Sequence, residues 1–342
     1  MKKHKQMITY MLLFLQTSSL LLSGCSIKDH TPILTINDKK LYQKDFIYDI
    51  YLVETEGERM ENYIQDTLDV SYWDYEQNGS SMRELAKDSV LSRVVLYEIL
   101  SDQANQNGIS LSQQELSQNQ EAISQIMQTV SEEDIKRLGI TREIISDSYN
   151  KIALGDKYYK ELLNGFYVNE DVIHARLNPE DYREYKTECL FLPYTTGEDN
   201  KAIFLSNGKS ASLKPILSEV LFSSEQGVEF AELLNEDIGF VYMTRDFIYG
   251  DSSCEKEYQE VAMQLKNGAY SNLILTEQGY YIIHMLDNHS TQKYEMAVEE
   301  AIREEKEKQF EIYYDSLKEN YDININFPVW TKIQIGDTSV TK

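Results

Sequence analysis

The alternation of apolar and polar positions is most regular between residues 258 and 286, where it predicts a helix, a turn and a strand. Apolar residues recur at the helical period up to Asn267-Gly268, which supplies a helix stop. Ser271–Thr276 is a short extended run, and Gln278-Gly279 predicts a tight turn. From Tyr280 to Met285 the residues are β-branched, aromatic or apolar, which favours a central strand. The helical positions are Tyr258, Val261, Ala262 and Leu265.

Helical periodicity prevails in the first half of the chain. Two capping boxes mark helix starts there, Ser81 with Glu84 and Ser112 with Glu115. The apolar stripe that follows Ser81 is broad, so other helices must cover it. One predicted helix begins at Lys44. The others cover Ser81–Asn107, Ser112–Val130, Thr141–Gly165 and, near the C-terminus, Thr291–Asn320.

Shorter patterns complete the predicted elements. Pro32–Tyr42 contains two short extended pieces joined by a turn, and Thr187–Leu192 is a strand. Ala211–Phe222 is a further helix, and Ile323–Ile335 is extended and apolar enough to pair with another strand. A mostly helical first half followed by one small sheet indicates an α+β protein.

Composition limits the class of protein. The chain has 342 residues and a hydrophobic fraction of 42%, which is enough for two domains with separate cores. Asp and Glu outnumber Lys and Arg by 57 to 33, which argues against nucleic acid as a partner. The histidines and cysteines have no metal-binding spacing, so neither a metal nor a cofactor is predicted.

The N-terminus has the pattern of a targeting segment. Three lysines within residues 2–5 precede Met7–Leu22, an apolar run shorter than the ~20 residues of a membrane-spanning helix. The run closes with Leu22-Ser23-Gly24-Cys25, which resembles a bacterial lipobox. This resemblance implies a signal peptide over 1–24 and a mature chain held at the membrane by acyl chains on Cys25. The alternative is an uncleaved anchor with a chance cysteine.

A family resemblance connects these patterns. The segment TEQGYYII, residues 276–283, resembles the T-x-x-G-[YF]-H-I-I end of a parvulin-type peptidyl-prolyl isomerase domain. Together with the lipobox and the order of capped helices, it makes nearly the whole mature chain similar to extracytoplasmic foldases of the PrsA and SurA kind. The resemblance implies an α+β fold in which a helical SurA-like chaperone domain is built from the N- and C-terminal segments. An inserted parvulin-like domain, a small antiparallel sheet flanked by helices, lies between those segments in the chain.

The resemblance also implies domain boundaries. The expected segments are a tether over 25–31, an N-terminal helical chaperone domain over 32–182, a parvulin-like domain over 183–290, and a C-terminal helix and strand over 291–342. In this arrangement the last segment packs on the N-terminal domain.

Carried over residue by residue, the resemblance places altered groups in the isomerase pocket. The two family histidines correspond to Cys189 and Tyr281, so both imidazoles are lost and no catalytic residue is assigned. The family's methionine and glutamine correspond to Cys254 and Glu255. The substrate-binding candidates are Cys189, Ile238, Cys254, Tyr258, Thr276 and Tyr281.

Two further properties of this region are expected. His284 lies three residues after Tyr281, so strand alternation directs it to the opposite face, where we expect a surface histidine. Cys189 and Cys254 both approach the former pocket. A disulfide between them and a pair of buried, reduced cysteines are both left open.

The leading hypothesis is a membrane-anchored extracytoplasmic chaperone or foldase for secreted proteins, with isomerase activity lost or weak. One alternative is an active peptidyl-prolyl cis-trans isomerase whose pocket is built on Tyr258, Thr276 and Tyr281. Another is a solute-binding lipoprotein, which would have two βαβ-rich lobes. The implied partners are unfolded secreted polypeptides and the outer face of the bacterial cell membrane, reached through Cys25. Association of two copies is left open.

Overall fold

A computed structural model describes residues 31–193, 195–196, 202–203, 218–223, 226–233 and 241–336. The predicted signal peptide, lipidation site Cys25 and pocket candidate Ile238 lie outside the described residues. The chain divides into two compact units. The helical unit comprises the residues up to Phe166 together with those from Gln309, and the sheet unit comprises Tyr167–Lys308.

The helical unit is built mainly from long helices. Its first part contains β1 (Leu34–Ile36), β2 (Lys39–Leu41), α1 (Ile47–Leu68), β3 (Glu76–Gln77), β4 (Ser80–Ser81), α2 (Met82–Gln106), α3 (Gln113–Thr129), α4 (Glu132–Leu138) and α5 (Arg142–Gly165).

The sheet unit alternates short helices with strands. It contains α6 (Glu170–Arg176), β5 (Glu184–Pro193), β6 (Thr195–Thr196), β7 (Ala202–Ile203), α7 (218–223), β8 (Val241–Ile248), α8 (Lys256–Ala262), β9 (Ile274–Leu275) and β10 (Gly279–Ser290). The helix α9 (Gln292–Lys318) crosses the boundary between the units, and β11 (Ile323–Ile325) and α10 (Phe327–Trp330) follow it.

Local capping explains where the long helices begin. Both predicted capping boxes form: the Glu84 amide donates to the Ser81 hydroxyl at 3.3 Å, and the Glu115 amide donates to the Ser112 hydroxyl at 3.2 Å. The helix α4 is an element beyond the predicted ones, although its signals are local: Ser131 caps it and three acidic residues occupy its first turn. It is only seven residues long.

The two ends of the chain meet in the helical unit. The strands β11, β1 and β2 form an antiparallel sheet in which Leu34 lies opposite Ile325. Beyond Ile325 the predicted extended run is wrong, because Pro328 lies in the first turn of α10 and favours a short helix. Trp330 then packs into one core with Phe46. The implied architecture, a helical domain assembled from both termini, is confirmed.

Buried ion pairs tie the helices of this unit together. The side chains of Glu54 and Glu98 are each only 2% exposed. Arg137 binds Glu54 through both of its terminal nitrogens, at 3.2 Å and 2.7 Å, while Lys39 and Lys151 both bind Glu98. Each carboxylate therefore has a cationic partner on a different element, as a buried charge requires.

The sheet unit is organised around a four-stranded antiparallel sheet with strand order β8-β5-β10-β9. Its two faces are covered differently. On the α8 face, Cys189, Tyr281 and Ile283 pack against residues of α8. On the α7 face, Leu190 and Ile282 pack against Val220 and Phe230. Alternate residues of β5 and β10 therefore lie on opposite faces, as the strand period of two requires.

The contacts group 167–182 and 291–308 with the sheet, whereas the expected parvulin-like domain spans 183–290. The physical reason is a small apolar cluster in which Ile173 of α6 packs against Val298 and Ala301 of α9. The domain division by function stays a prediction.

Candidate functional site

The two positions that replace the family histidines lie side by side in the sheet. Cys189 is on β5 and Tyr281 is on β10, the two central strands. The register pairs Cys189 with Ile283 and Phe191 with Tyr281, so Cys189 and Tyr281 are diagonal neighbours on the α8 face. Both residues are 0% exposed.

Tyr258 of α8 completes this cluster from above the sheet. Its ring meets the Tyr281 ring edge to face, with centroids 5.1 Å apart and an interplanar angle of 82°. The Phe191 ring stacks on the Tyr281 ring with centroids 4.5 Å apart. The hydroxyls of Tyr258 and Thr187 are 2.8 Å apart, and Tyr258 is 0% exposed. The three aromatic rings therefore form one packed cluster on the α8 face.

A charged pair that the sequence analysis missed lies beside these rings. Arg245 of β8 donates to Glu255 at 2.6 Å, and the Tyr281 hydroxyl donates to the other oxygen of Glu255 at 2.8 Å. The Arg245 guanidinium lies 5.1 Å from the Tyr281 ring centroid and 5.3 Å from that of Tyr258. Alternation along β8 was the available signal, because Met243, Arg245 and Phe247 share one face.

These contacts set the protonation of the site. Burial would raise the pKa of Glu255, but hydrogen bonds from its own backbone amide, Arg245 and Tyr281 outweigh burial and lower that pKa. Burial, followed by the hydrogen bond to Glu255, raises the pKa of Tyr281 well above its ordinary range. Burial likewise raises the pKa of Tyr258. At neutral pH the site holds a guanidinium, a carboxylate and two neutral phenols.

The two cysteines of the sheet unit are free thiols, and both are buried. They belong to the same apolar cluster as Tyr258 and Tyr281. Burial raises the pKa of Cys189 to about 11 and also raises the pKa of Cys254. Neither thiol is therefore poised as a nucleophile.

Thr276 has a structural role at the turn that leads into β10. Its hydroxyl accepts from the Gln278 amide at 3.1 Å and from the Gly279 amide at 3.3 Å. Gly279 is required there because an added Cβ would lie 2.3 Å from the Leu192 carbonyl oxygen. The structure thus brings Cys189, Cys254, Tyr258 and Tyr281 into one cluster, while Thr276 fixes the adjacent turn.

His284 does lie on the opposite face from Tyr281, but the expectation of a surface histidine is wrong. Its side chain is 17% exposed, and its Nδ1 lies 2.7 Å from Glu188. Its ring stacks on Tyr270 with centroids 4.1 Å apart and is flanked by Phe230. Tyr242 donates to the second oxygen of Glu188 at 2.9 Å. Residues distant in the sequence therefore partly bury His284, which its position in the strand alone did not indicate.

The site has no described feature of metal or covalent chemistry. Among the described residues, no group of three or more His, Cys, Asp or Glu side chains is placed to hold a metal ion. The groups at the α8 face bind one another: Arg245 binds Glu255, Tyr281 binds Glu255 and Tyr258 contacts Thr187. Chemically, this arrangement stabilises the sheet unit.

The resemblance to extracytoplasmic foldases can be compared with the known proteins that this chain matches. No family model matches the chain. Curated proteins named Foldase protein PrsA do match it over nearly its whole length, and the chain is similar to these foldases.

The particular relatives are bacterial proteins named Foldase protein PrsA. The one from Clostridium botulinum strain 657 is 20% identical in an alignment of 345 positions. The alignment covers 93% of this chain and 96% of that protein. The one from Caldanaerobacter subterraneus is 21% identical over 270 residues, which cover 77% of this chain and 76% of that protein.

Solved structures give a weaker similarity. The PrsA foldase of Lactococcus lactis has a TM-score of 0.33 and 12% identity, covering 88% of this chain and 96% of that one. A SurA-like chaperone structure from Campylobacter jejuni also has a TM-score of 0.33 and 12% identity, with coverage of 86% and 98%.

No helix within the described residues is both long enough and apolar enough to cross a bilayer.

Proposed function

We propose that this chain is a membrane-anchored extracytoplasmic chaperone of the foldase type, which binds unfolded secreted polypeptides and does not catalyse prolyl isomerisation. The loss of isomerase activity is supported by the packing of the α8 face, where Cys189, Tyr258 and Tyr281 are each 0% exposed. The chaperone function is supported by PrsA relatives, one of which matches 93% of the chain.

The physics of isomerisation explains why a filled site supports loss of activity. Rotation about the prolyl bond has a barrier of about 20 kcal/mol, because the amide must lose its resonance. A catalyst must hold the proline ring in an apolar pocket and favour the twisted amide. Here the rings of Phe191, Tyr258 and Tyr281 occupy that volume, and Arg245 and Glu255 bind each other beside them. A proline could enter only if these contacts separated.

Client binding would then rest on shape and on apolar contact. The helical unit presents large apolar side chains to solvent, including Tyr63 at 65% exposed and Ile312 at 73% exposed. Such side chains bind transiently exposed apolar segments of an unfolded chain without requiring a particular sequence. The lipobox-like ending at Cys25 supports attachment at the membrane surface, where secreted polypeptides emerge.

The solute-binding alternative has less support. It requires two lobes with parallel strands joined by helices. All strand pairs among the described residues are antiparallel.

Suppression of aggregation tests the proposed chaperone function. The mature chain with Cys25→Ala, which keeps it soluble, would be mixed with a chemically denatured secreted protein, and light scattering would be followed after dilution. We expect the scattering to fall as the chain approaches equimolar amounts, with an unrelated acidic protein of similar size as the control. Unchanged scattering would overturn the chaperone proposal. Labelling of the full chain with a radioactive fatty acid, lost in Cys25→Ala, tests the anchor.

A further inference from the structure

The two edges of the four-stranded sheet are finished differently. At the β9 edge, residues ahead of β9 continue the pairing with β10. The Ser271 amide donates to the Ile283 carbonyl at 2.8 Å, and the Ile283 amide donates to the Ser271 hydroxyl at 2.8 Å. Further along, the Met285 amide donates to the Ala269 carbonyl, and the Gly268 amide donates to the Met285 carbonyl. Residues 268–275 therefore cover the outer side of β10 with short, interrupted stretches of backbone pairing.

At the other side of the sheet, β8 is a longer and regular edge strand. In an antiparallel pair, alternate residues direct both backbone polar groups toward the partner strand and the others direct them away. Ile248 directs its groups away from β5, because its amide donates to Asp251 at 2.9 Å and its carbonyl accepts from the Asp251 amide. The alternation then places Tyr242, Thr244 and Asp246 in the same outward orientation. The Thr187 hydroxyl on β5 donates to the Arg245 carbonyl. Arg245 therefore directs its carbonyl toward β5, as this alternation requires.

The row of outward backbone groups on β8 ends at Ile248, where Asp251 binds them. Asp251 occupies the position beyond Ile248, so the sheet cannot be extended past that residue. Between Tyr242 and Asp246, no described residue pairs with the outer side of β8. The exposed edge is therefore five residues long, and its exposed members include Tyr242 and Thr244.

The side chains of β8 offer little protection against an added strand. Natural edges are usually guarded by lysine, proline or a bulge. Arg245 would be such a guard, but it faces the α8 side and binds Glu255. The register of β5 with β8 contains no bulge between Val241 and Ile248. Asp246 is the one exposed charge within Val241–Ile248, and it favours a partner with a basic residue opposite it.

We propose that the outer edge of β8, from Tyr242 to Asp246, binds an extended segment of an unfolded client as an additional strand. This inference rests on the proposed chaperone function and gives it a binding mode. Recognition through backbone amides and carbonyls does not depend on client sequence, which suits a protein with many clients. Val241 and Tyr242, 44% and 37% exposed, add apolar contact at one end of the strand, and Asp246 prefers clients with a nearby Lys or Arg.

The test compares two substitutions of one residue. Thr244→Pro removes an outward amide that β5 does not use, so the sheet tolerates it at this edge. Thr244→Val keeps the amide and changes only the side chain. The probe is a fluorescein-labelled nine-residue peptide of alternating Val and Thr with one Lys, and its binding is measured by fluorescence anisotropy with the soluble mature chain. We expect Thr244→Val to bind as the unchanged protein does and Thr244→Pro to bind about tenfold more weakly.

A second comparison alters the peptide, so the test survives if Thr244→Pro does not fold. N-methylation of two adjacent central residues removes one amide from each edge of the peptide and should abolish its binding. Equal binding of the methylated peptide, or unchanged binding by folded Thr244→Pro, would overturn the proposal. A concentration-dependent dimer in light scattering, lost in Thr244→Pro with no peptide bound, would show that a second copy occupies the edge and would also overturn it. The aggregation assay is independent of these outcomes and tests the chaperone function itself.

Discussion

The two faces of the central sheet hold a glutamate side chain in different ways. Each face holds a partly buried glutamate of the sheet unit against one partner: Glu255 forms an ion pair with Arg245 on the α8 face, and Glu188 lies within hydrogen-bonding distance of His284 on the α7 face. On the α8 face the pair is locked to the phenol of Tyr281. On the α7 face the histidine is held by stacking on Tyr270. The imidazole of His284 therefore lies on the face opposite the phenol of Tyr281.

This difference suggests that the α8 face contributes more to the stability of the sheet unit than the α7 pair does. The largest test is Tyr281→Ala, which deletes a fully buried ring and its hydrogen bond to Glu255. We expect the free energy of unfolding of the sheet unit to fall by about 3–5 kcal/mol, as for other large-to-small core substitutions. Hydrogen exchange at the β10 amides measures it.

The same experiment carries its own internal controls. Both tryptophans of the chain, Trp73 and Trp330, lie in the helical unit, so their fluorescence reports that unit separately. Tyr249→Ala removes a tyrosine that is 53% exposed and should change stability by less than about 0.5 kcal/mol. Equal effects of the two substitutions would contradict the packing described for Tyr281.

The next test removes the charge at the centre of the α8 face. In Glu255→Gln, Arg245 keeps its position but loses its ionic partner, and its side chain is only 18% exposed. We expect a loss of about 2 kcal/mol in the unfolding free energy, because a partly buried cation is left without a counter-charge. Glu257→Gln, on the exposed side of the same helix, is the matched control.

The pH dependence of this pair has a defined sign. The folded-state pKa of Glu255 is below its ordinary value, so its stabilising contribution is complete at neutral pH. It is lost as the pH falls through the ordinary carboxyl range and then through the folded-state pKa. Unfolding measured from pH 7 downward should show a shallower fall in stability for Glu255→Gln than for the unchanged protein. Parallel curves would contradict the role assigned to Glu255.

A smaller effect is expected on the α7 face. His284→Gln removes the contact with Glu188 and weakens the stacking on Tyr270, but Tyr242 still donates to Glu188. We expect a loss of about 1 kcal/mol at neutral pH, the value of an ordinary hydrogen bond with some packing. His289→Gln, at an exposed position of the same strand, serves as the control. A loss larger than that of Glu255→Gln would reverse the proposed order of the two faces.

The reactivity of the two cysteines of the sheet unit can be measured without any substitution in the sheet, so this test perturbs the protein least. In the Cys25→Ala chain, Cys189 and Cys254 are the thiols that remain. Both are buried, and the pKa of Cys189 is about 11, so reaction with iodoacetamide at pH 8 should be far slower in the native protein than in denaturant. Fast native labelling, followed by mass spectrometry, would show that the α8 face opens readily.

Much of the helical unit could be predicted because its signals are local. The capping boxes at Ser81 and Ser112 and the stop at Gly165 each depend on neighbouring residues, and the helices begin and end at those positions within a residue. The C-terminal run after Ile325 was harder, because Pro328 favours a helical turn inside an otherwise apolar segment.

The candidate site divides in the same way. Placement of Cys189 and Tyr281 on adjacent strands followed from the family resemblance, which aligns whole segments. Arg245 was missed because a charged residue on an edge strand is ordinarily expected in solvent, and its partner Glu255 lies on a different element. The burial of His284 was missed for a related reason, since Tyr270 reaches it from a segment outside the strand. Pairing of distant segments determines these positions, and a single sequence does not display it.

A prolyl isomerisation assay tests the filled site most directly. The soluble mature chain would be added to a proline-containing tetrapeptide, and the cis-to-trans relaxation followed by protease-coupled absorbance or exchange NMR. With Phe191, Tyr258 and Tyr281 packed as described, we predict the uncatalysed rate at all protein concentrations. A rate that rises in proportion to protein concentration, and changes in Tyr281→Phe while the fold is retained, would contradict the proposal that this face has lost its catalytic role.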